Sequence, residues 1–336
     1  MRPLNIGVVG CGDVALTRHL PTLKENRDVF VSVVCDTLPE RARAAAEQFD
    51  VPSYVCSPSE IFRNPVVDAV VIATPPWVTP DLAVEALTHG KYVLCEKPMA
   101  IELEEAQRVA MAEAQSEGRL QMGFVFRHDP LLAHLQGWIA EGLLGSPLVF
   151  RLGIFDETYD PQENPEHYRR IAGTLRHGGP SVHDGAHAAD LLNLLTSSPV
   201  SGVDAYGIKS RPEFAAPNFD ISIIRFQNGD CAKVEIGWFY PMFPASQFEV
   251  LGPSGFAEYD WQGRRLRLVR PEGSKELTDS QEWWKACFQG QLKQFVQSVR
   301  TKGSCMPGPA EGIYSLRLTQ LIRQSIERGE GKEHDR

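Results

Sequence analysis

Apolar and polar residues follow two different patterns along the chain, one before about residue 125 and one after about residue 147. In the first part, short runs of apolar, β-branched residues alternate with helical stretches of roughly ten residues or more. This alternation is typical of βαβ units around a parallel sheet, with helices beginning near Asp13, Pro39, Pro80 and Glu102. The predicted strands are Leu4–Val9, Val29–Asp36, Ala69–Thr74, Tyr92–Cys95 and Leu120–Gly123.

In the second part, apolar and polar residues alternate over longer runs, which predicts a mostly antiparallel sheet. Turn sequences such as Asn228-Gly229 separate the runs. A helix over Pro180–Leu195 interrupts the sheet, and helices over Glu282–Thr301 and Gly308–Arg328 close the chain. The predicted strands are Pro147–Phe155, Gly202–Lys209, Ile221–Phe226, Ala232–Phe239, Gln247–Leu251, Phe256–Tyr259 and Arg265–Val269.

The two patterns predict an α/β protein with two domains, residues 1–125 and residues 126–330, whose final helix can pack back on the first domain. A chain of 336 residues is long enough for two domains of roughly 150 residues each. Its 43% of hydrophobic residues excludes a largely disordered or fibrous protein.

Charge and cysteine content narrow the class of protein further. The 43 acidic and 34 basic residues give a net charge of -9, which argues against binding to nucleic acid or to an anionic membrane. The chain shows neither the run of roughly 18–20 apolar residues that spans a membrane nor a signal-peptide pattern, so we expect a cytoplasmic protein. The seven cysteines are scattered and have no C-x-x-C spacing, which predicts buried, reduced thiols.

A glycine-rich motif of the form G-x-G-x-x-A follows the first predicted strand. Gly10 permits a tight turn, Gly12 lets backbone N–H groups approach a pyrophosphate, and the small Ala15 lets the next helix pack closely. Glycine-rich turns between strand and helix are common, so the motif alone is a weak signal. The position of the motif directly after the first strand strengthens this signal. The motif therefore predicts a dinucleotide site that includes Asp13 and Val14.

An acidic residue, Asp36, ends the second predicted strand, 21 residues after Ala15. A carboxylate there accepts hydrogen bonds from the adenosine ribose and repels a 2′-phosphate, which favours NAD over NADP. The alternative is that Asp36 is only a turn residue. Arg41 and Arg43 follow closely and would tolerate a phosphate.

The sequence Glu96-Lys97-Pro98 follows the predicted strand Tyr92–Cys95. Lys97 therefore lies at the carboxyl end of a parallel strand, where open α/β sheets bind their ligands. A partly desolvated lysine in that position can stabilise a developing alkoxide. The alternative is an ordinary surface lysine beside a proline turn.

Three of the nine histidines, His177, His183 and His187, fall within 11 residues. The spacing of His183, His187 and Asp190 places all three on one face of a continuous helix. Such a pair of histidines can be a general base with its partner, two metal ligands, or polar residues of an amphipathic helix. His183-Asp184-x-x-His187 approximates the zinc motif H-E-x-x-H, but the aspartate is shorter and no third ligand follows, so we predict no metal site.

Taken together, these motifs resemble the Gfo/Idh/MocA family of NAD(P)-dependent oxidoreductases, over nearly the whole chain. The resemblance implies an N-terminal Rossmann domain with a doubly wound parallel sheet and a C-terminal α/β domain with an open sheet. It also implies a sugar, polyol or cyclitol substrate in the cleft between the domains, and homodimers or homotetramers that often form through the open sheet. The matching residues are Gly10–Ala15, Asp36, Asp68–Pro75, Gly90–Pro98, Gly123-Phe124 with Arg127, Gly178–Asp190 and Phe248–Gly252.

The resemblance assigns roles to individual residues. Lys97 and His187 correspond to the catalytic pair, so His187 would take the proton of the substrate hydroxyl while Lys97 polarises its oxygen, and His183 would orient the substrate or relay the proton. The expected cofactor contacts are Gly10, Gly12, Asp13, Val14, Ala15, Asp36, Thr74, Pro75, Trp77, Glu96 and Lys97. The expected substrate contacts include Lys97, Arg127, His183, Asp184 and His187. Further candidates are polar or aromatic residues of the second domain, each a weak signal by itself because aromatic residues on strands are more often part of the core. These are Asp156, Tyr159, Tyr168, Arg169, Arg176 and Trp238.

The chain departs from the family pattern at two positions. Members commonly have an aspartate where His183 stands, and that carboxylate would pair with the lysine, so the replacement leaves the proton acceptor open. Members often have a histidine where Thr79 stands. The predicted activity is oxidation of a secondary hydroxyl, or reduction of the ketone, with NAD. The rival functions are a glycosidase or lyase that retains NAD and oxidises its substrate transiently, and a non-catalytic NAD-binding regulator.

Overall fold

The computed structural model describes residues 2–244 and 248–330. The strands are β1 (Leu4–Val9), β2 (Val29–Cys35), β3 (Tyr54–Val55), β4 (Ala69–Ile72), β5 (Tyr92–Cys95), β6 (Leu120–Met122), β7 (Val149–Phe155), β8 (Val200–Ile208), β9 (Phe219–Phe226), β10 (Cys231–Gly237), β11 (Phe248–Gly252), β12 (Gly255–Asp260), β13 (Arg265–Arg270) and β14 (Gly273–Thr278). The helices are α1 (Leu20–Glu25), α2 (Pro39–Phe49), α3 (Pro58–Phe62), α4 (Thr79–Thr88), α5 (Leu103–Ala114), α6 (Pro130–Ala140), α7 (Pro165–Thr174), α8 (Gly179–His183), α9 (Gly185–Thr196), α10 (Trp283–Thr301) and α11 (Pro309–Glu330).

The chain forms two units, and the first is built from two separate segments. It contains residues 2–129 together with Trp284–Ile313, while the second contains Pro130–Trp283 and residues 314–330. The predicted division at residue 125 placed Trp284–Ile313 with the second domain, whereas the structure places this segment in the first unit. That segment belongs to the first unit because its apolar side chains share a core with β1 and β2. Its members in that core are Leu292, Phe295, Val296 and Cys305.

The first unit contains a six-stranded parallel sheet in the order β3-β2-β1-β4-β5-β6. The order reverses between β1 and β4, which is the position where open α/β sheets bind ligands. Every residue of β4 and β5 is buried, as expected for parallel strands covered on both faces. The doubly wound parallel sheet predicted from the sequence is confirmed. The two-residue strand β3 and the short helix α3 were not predicted because neither is long enough to show a periodic pattern.

The second unit contains an eight-stranded sheet in the order β14-β13-β12-β11-β7-β10-β9-β8. Its neighbouring strands are antiparallel except β7 and β10, which are parallel. Burial alternates along β9, so one face of the sheet packs on the core. This confirms the mostly antiparallel sheet. The first residue of the predicted strand Gln247–Leu251, Gln247, lies outside the described residues.

Some elements of the second unit were missed in the sequence. The edge strand β14 is almost entirely exposed and therefore has no alternating apolar pattern. The helices α6 and α7 were also not predicted. Both begin at a proline, Pro130 and Pro165, in the first helical turn, where proline is tolerated.

The prediction of one helix over Pro180–Leu195 is wrong, because the chain forms two helices that meet at Asp184. The carboxylate of Asp184 accepts a hydrogen bond of 2.6 Å from the indole nitrogen of Trp238. Gly185, a weak helix former, follows at once. The spacing argument that places His183 and His187 on one face of a continuous helix therefore does not hold.

Candidate active site

The glycine turn after β1 is held in a conformation that requires glycine. Gly10 has a φ of 93°, and its amide donates to the carbonyl oxygen of Cys35 at 2.8 Å. A Cβ atom on Gly10 would overlap the carbonyl oxygen of Ala73. Any other residue at position 10 would therefore strain the turn and push it away from the loop after β4.

The rest of the turn fits a dinucleotide. A Cβ atom on Gly12 would meet no other atom within 4 Å, so the backbone there is open to an approaching pyrophosphate. Asp13 is exposed and Val14 half-buried, whereas Ala15 is fully buried and begins a π-helical turn that ends at His19. The small side chain of Ala15 allows the close packing that the motif predicts.

Both oxygens of the Asp36 carboxylate accept hydrogen bonds from backbone amides. Cys11 donates to Oδ2 and Leu38 donates to Oδ1, each at 3.0 Å. Asp36 is half-buried and therefore remains accessible to a ligand. The carboxylate thus fixes the glycine turn and still presents negative charge where a ribose would bind.

The loop after β4 carries Thr74, Pro75 and Trp77. Thr74 is half-buried, Pro75 is exposed, and the Trp77 ring is 42% exposed. Thr79, where family members often have a histidine, is fully buried. Its hydroxyl lies 2.8 Å from the hydroxyl of Thr74 and donates to the carbonyl oxygens of Thr74 and Pro75. Thr79 therefore ties the loop to the first turn of α4.

Lys97 follows β5 and is half-buried, with a cis peptide bond to Pro98. Its backbone amide donates to Oε2 of Glu96 at 3.1 Å. The other oxygen of Glu96 lies 2.7 Å from Nε2 of His19, and both side chains are buried. Glu96, predicted as a cofactor contact, is thus engaged by His19 and by the Lys97 amide.

Arg127 belongs to the first unit and is half-buried in a 3₁₀ turn over Val125–His128, which follows β6. The pKa of the adjacent His128 is lowered to about 4, first by burial and then by the charge of Arg127. The structure therefore brings the predicted residues of the first unit to one edge of the sheet, since they all follow the carboxyl ends of neighbouring parallel strands.

In the second unit, the predicted histidines lie on the two short helices. His187 is buried in α9 and His183 is half-buried at the end of α8, where its ring centroid lies 5.6 Å from the ring of Trp238. Asp184 is also buried and binds the Trp238 indole, so its carboxylate supports this region instead of projecting freely. Trp238 comes directly after β10 and is 3% exposed.

An aromatic cluster lies beside Trp238. Its buried members are Ile171, Leu175, Phe214, Trp238 and Phe239, with Tyr159 and Tyr168 packed against them. The rings of Tyr159 and Tyr168 meet edge to face at 5.4 Å, and the guanidinium of Arg211 lies 3.7 Å from the Tyr159 ring centre. Burial, together with Tyr159 and Glu213, raises the pKa of Tyr168.

The remaining predicted substrate residues, Asp156, Arg169 and Arg176, are exposed. Next to Asp156, Glu157 pairs with His167 at 2.5 Å. Burial raises the pKa of Glu157 despite this partner. The Glu157–His167 pair was not predicted, because the nine residues between its members belong to a loop and to the start of α7, which were also not predicted.

A buried pair, Ser181 and Asp220, links α8 to β9. The hydroxyl and the amide of Ser181 both donate to the carboxyl group of Asp220 on β9. Burial raises the pKa of Asp220 to about 7, although the Ser181 bonds lower it in part. A cavity of about 10 Å³ adjoins both side chains, close to the volume that one water needs. Ser181 lies in the histidine-rich segment, but its partner could not be recognised from sequence.

Residues 2–244 and 248–330 contain neither a long apolar helix nor a cluster of metal ligands. No helix in these ranges combines the length and apolar character needed to cross a bilayer. No three histidine, cysteine or acidic side chains of the described chain are grouped as a metal site would require. The seven cysteines are free thiols, and five of them are buried.

Two family models match the chain. Residues 4–124 match the family model of oxidoreductases with an NAD-binding Rossmann fold, and residues 132–258 match the C-terminal domain model of the same family. Myo-inositol 2-dehydrogenase of Thermotoga maritima is 24% identical over 332 residues, which is 96% of each chain. Scyllo-inositol 2-dehydrogenase (NAD(+)) of Bacillus subtilis is 26% identical over 80% of this chain and 78% of that protein.

Among solved structures, levoglucosan dehydrogenase in complex with NADH and levoglucosan has a TM-score of 0.88. It is 20% identical, and the match covers 97% of this chain and 98% of that one. At this identity the likeness shows a shared fold. The two family models, however, together match most of the chain, so this protein belongs to the Gfo/Idh/MocA family of NAD-binding oxidoreductases.

Proposed function

We propose that the protein is an NAD-dependent dehydrogenase that oxidises a secondary hydroxyl of a sugar, polyol or cyclitol, or reduces the corresponding ketone. The observation that carries this proposal is the sheet edge of the first unit. The open backbone at Gly12, the carboxylate of Asp36 and the half-buried Lys97 follow three strands of one parallel sheet. Relatives named as inositol dehydrogenases and a 1,5-anhydro-D-fructose reductase support a polyhydroxylated substrate.

The preference for NAD rests on Asp36. Two backbone amides hold its carboxylate in place, so the side chain does not swing away to admit a 2′-phosphate. The negative charge repels that phosphate and accepts hydrogen bonds from ribose hydroxyls. The remaining proposed cofactor contacts are Gly10, Gly12, Asp13, Val14, Ala15, Thr74, Pro75, Trp77 and Lys97.

In the proposed reaction, NAD⁺, when bound, supplies the acceptor for the hydride that leaves the substrate carbon. Lys97 donates a hydrogen bond to the substrate oxygen and stabilises the negative charge that develops there. His187 accepts the hydroxyl proton as general base. His183 orients the substrate or relays the proton, since it stands where the family commonly has an aspartate.

The proposed substrate contacts in the second unit combine rings with polar groups. The Tyr159 and Tyr168 rings pack at the margin of the aromatic cluster and offer apolar surface to a sugar ring. Exposed Asp156, Arg169 and Arg176 supply groups that hydrogen-bond hydroxyls. Arg127 is the further proposed contact from the first unit.

A screen of the purified protein tests the proposal. NAD⁺ and, separately, NADP⁺ are offered with a panel of sugars, inositols and glycosides, while the absorbance of the reduced cofactor is followed. Reduction of NAD⁺ with at least one sugar or inositol, and weaker reduction of NADP⁺, is the expected result. Cleavage of a glycoside without net reduced cofactor would instead identify a glycosidase or lyase, and no turnover with any compound would contradict an enzymatic role.

A further inference from the structure

Glu96 occupies an unusual position for a residue beside a ligand site, because its carboxylate is directed into the protein. Glu96 is 8% exposed and His19 is 3% exposed. Nε2 of His19 lies 2.7 Å from Oε1 of Glu96, and the ring of Phe288 meets the His19 ring edge to face at 5.1 Å. A buried carboxylate is stable only when its oxygens have partners, so His19 is the partner that keeps it there.

The other carboxylate oxygen of Glu96 holds the backbone amide of Lys97. Oε2 accepts the backbone N–H of Lys97 at 3.1 Å, while the amide of Glu96 itself is bonded to the carbonyl oxygen of Ile72 in β4. The main chain is thus tied to the sheet at Glu96. One residue later, the Glu96 side chain holds the Lys97 amide.

The neighbouring Gly123 leaves room for the hydrogen bond between Glu96 and the Lys97 amide. A Cβ atom on Gly123 would lie 3.0 Å from Oε2 of Glu96 and 3.1 Å from the carbonyl oxygen of Cys95. Glycine at this position leaves space for the carboxylate to reach the Lys97 amide. His19 ends the π-helical turn that begins at Ala15, the last residue of the glycine motif. Such π-turns occur frequently at functional sites.

We propose that His19 and Glu96 form a positioning pair that links the helix after the glycine turn to the backbone of Lys97. His19 holds Glu96, and Glu96 holds the Lys97 amide. The pair itself need not touch cofactor or substrate. This inference rests on the proposed role of Lys97 and adds residues that set its position.

Turnover is sensitive to such positioning. A displacement of about 1 Å in a reacting group lowers a rate by roughly 100-fold, whereas binding of a cofactor held by many other contacts changes little. Loss of the pair should therefore reduce kcat much more than it weakens binding of NAD⁺. The Lys97 amide should also lose its protection against hydrogen exchange in the free protein.

Three variants test the proposal: His19→Leu, His19→Gln and Glu96→Met, the last of which has no side-chain acceptor for the Lys97 amide. His19→Leu removes the polar partner and keeps an apolar contact for Phe288, and we expect kcat to fall about 100-fold while the Kd for NAD⁺ changes less than about threefold. His19→Gln places an amide N–H near the position of Nε2 and should restore most of the loss. Hydrogen exchange of the peptide containing Lys97 should accelerate in His19→Leu and Glu96→Met.

Asp68→Asn is the matched control. The Asp68 carboxylate binds the Arg2 guanidinium and the Asn5 amide, just before β4 begins, at the amino edge of the same sheet. This variant should lower Tm without changing kcat or the exchange of the Lys97 amide.

The proposal is overturned if folded His19→Leu keeps the kcat and the Lys97 exchange rate of the parent protein, or if His19→Gln gives no rescue. If His19→Leu does not fold, the exchange rate in Glu96→Met decides. A parent protein that oxidises no carbohydrate would refute the proposed function, and the exchange measurements would then decide the positioning role alone.

Discussion

Asp220 shows how one buried carboxyl group makes the stability of this fold depend on pH. Its pKa in the folded protein is raised from 3.8 to about 7, chiefly by burial. The folded protein therefore binds the Asp220 proton more tightly than the unfolded chain does. The resulting stabilisation is fully present at pH values below the pKa of Asp220 in the unfolded chain. That contribution is lost as the pH rises through the folded pKa, so the window here runs from about pH 4 to about pH 7.

We expect Asp220→Asn to flatten this dependence. From the two pKa values, the wild-type protein should lose on the order of 3 kcal/mol of unfolding free energy between pH 5 and pH 8 through this group. The asparagine variant should lose much less. Denaturant unfolding at both pH values measures the difference, and an equal slope in the two proteins would contradict it.

Ser181→Ala tests the same pH dependence by removing a hydrogen-bond donor to Asp220. The Ser181 hydroxyl donates to the Asp220 carboxyl and lowers its pKa in part. Its removal should raise that pKa further and move the loss of stability to higher pH. A shift to lower pH in the same unfolding measurements would show that the sign is wrong.

His187 is the residue on which the proposed chemistry depends most. If it is the general base, His187→Ala should lower turnover at saturating substrate by about 100-fold to 10,000-fold. His177→Ala is the control, because His177 is exposed in the 3₁₀ turn before α8. Near wild-type turnover in His187→Ala would remove it from the mechanism.

At the scale of elements, the turn between β1 and the following helix combines two glycines with different functions. Gly10 has a positive φ and faces the backbone of Ala73, so it is needed for the fold. Gly12 has open space around it, so we propose that a glycine is needed there only for the approach of a ligand. On this proposal the motif contains one structural position and one binding position.

Paired alanine variants should separate these functions. Gly10→Ala should destabilise the protein by about 1–3 kcal/mol, because the turn must adopt a strained backbone and move away from Ala73. Gly12→Ala should leave Tm unchanged and weaken NAD⁺ binding by about tenfold or more, because the methyl group occupies the pyrophosphate approach. Thermal melts and calorimetric titration with NAD⁺ check both, and a swapped pattern would contradict the assignment.

Elements with a local sequence pattern could be predicted, whereas features that depend on distant parts of the chain could not. The parallel strands were recognisable because β1 and β5 are short, apolar and followed by turn residues. The break between α8 and α9 was not, because it depends on the bond from Trp238 to Asp184, more than 50 residues away in the chain. His19 and Asp220 were missed for the same reason, since each gains its significance from a distant partner.

At the scale of the whole molecule, the outer face of the second sheet is the surface we propose for self-association. By strand register, Val149, Arg151, Ile223, Tyr206 and Ile208 share this face on β7, β9 and β8. Tyr206 is 72% exposed, and Val149, Ile208 and Ile223 are also exposed. Apolar side chains exposed together on a sheet face are typical of protein interaction surfaces, which supports this proposal.

The double variant Tyr206→Glu, Ile223→Glu should reduce the molar mass measured by light scattering from that of a dimer or tetramer to that of a monomer. Placing carboxylates in a face that packs against another copy desolvates their charge. Met111→Glu, at an exposed apolar residue of α5, is the control and should keep the oligomer. An unchanged mass in the double variant would exclude this face.

Because the first unit consists of two chain segments, its core is complete only after the second segment has been synthesised. Its core includes Leu292, Phe295 and Val296, which leave the ribosome long after β6. A nascent chain that ends at Asp129 therefore exposes the apolar side chains that α10 covers in the finished protein. We expect a fragment of residues 1–129 to aggregate when expressed alone, and one fused through a short linker to residues 284–313 to remain in solution. The cofactor half of this enzyme is thus not a module that can be moved by cutting the chain once.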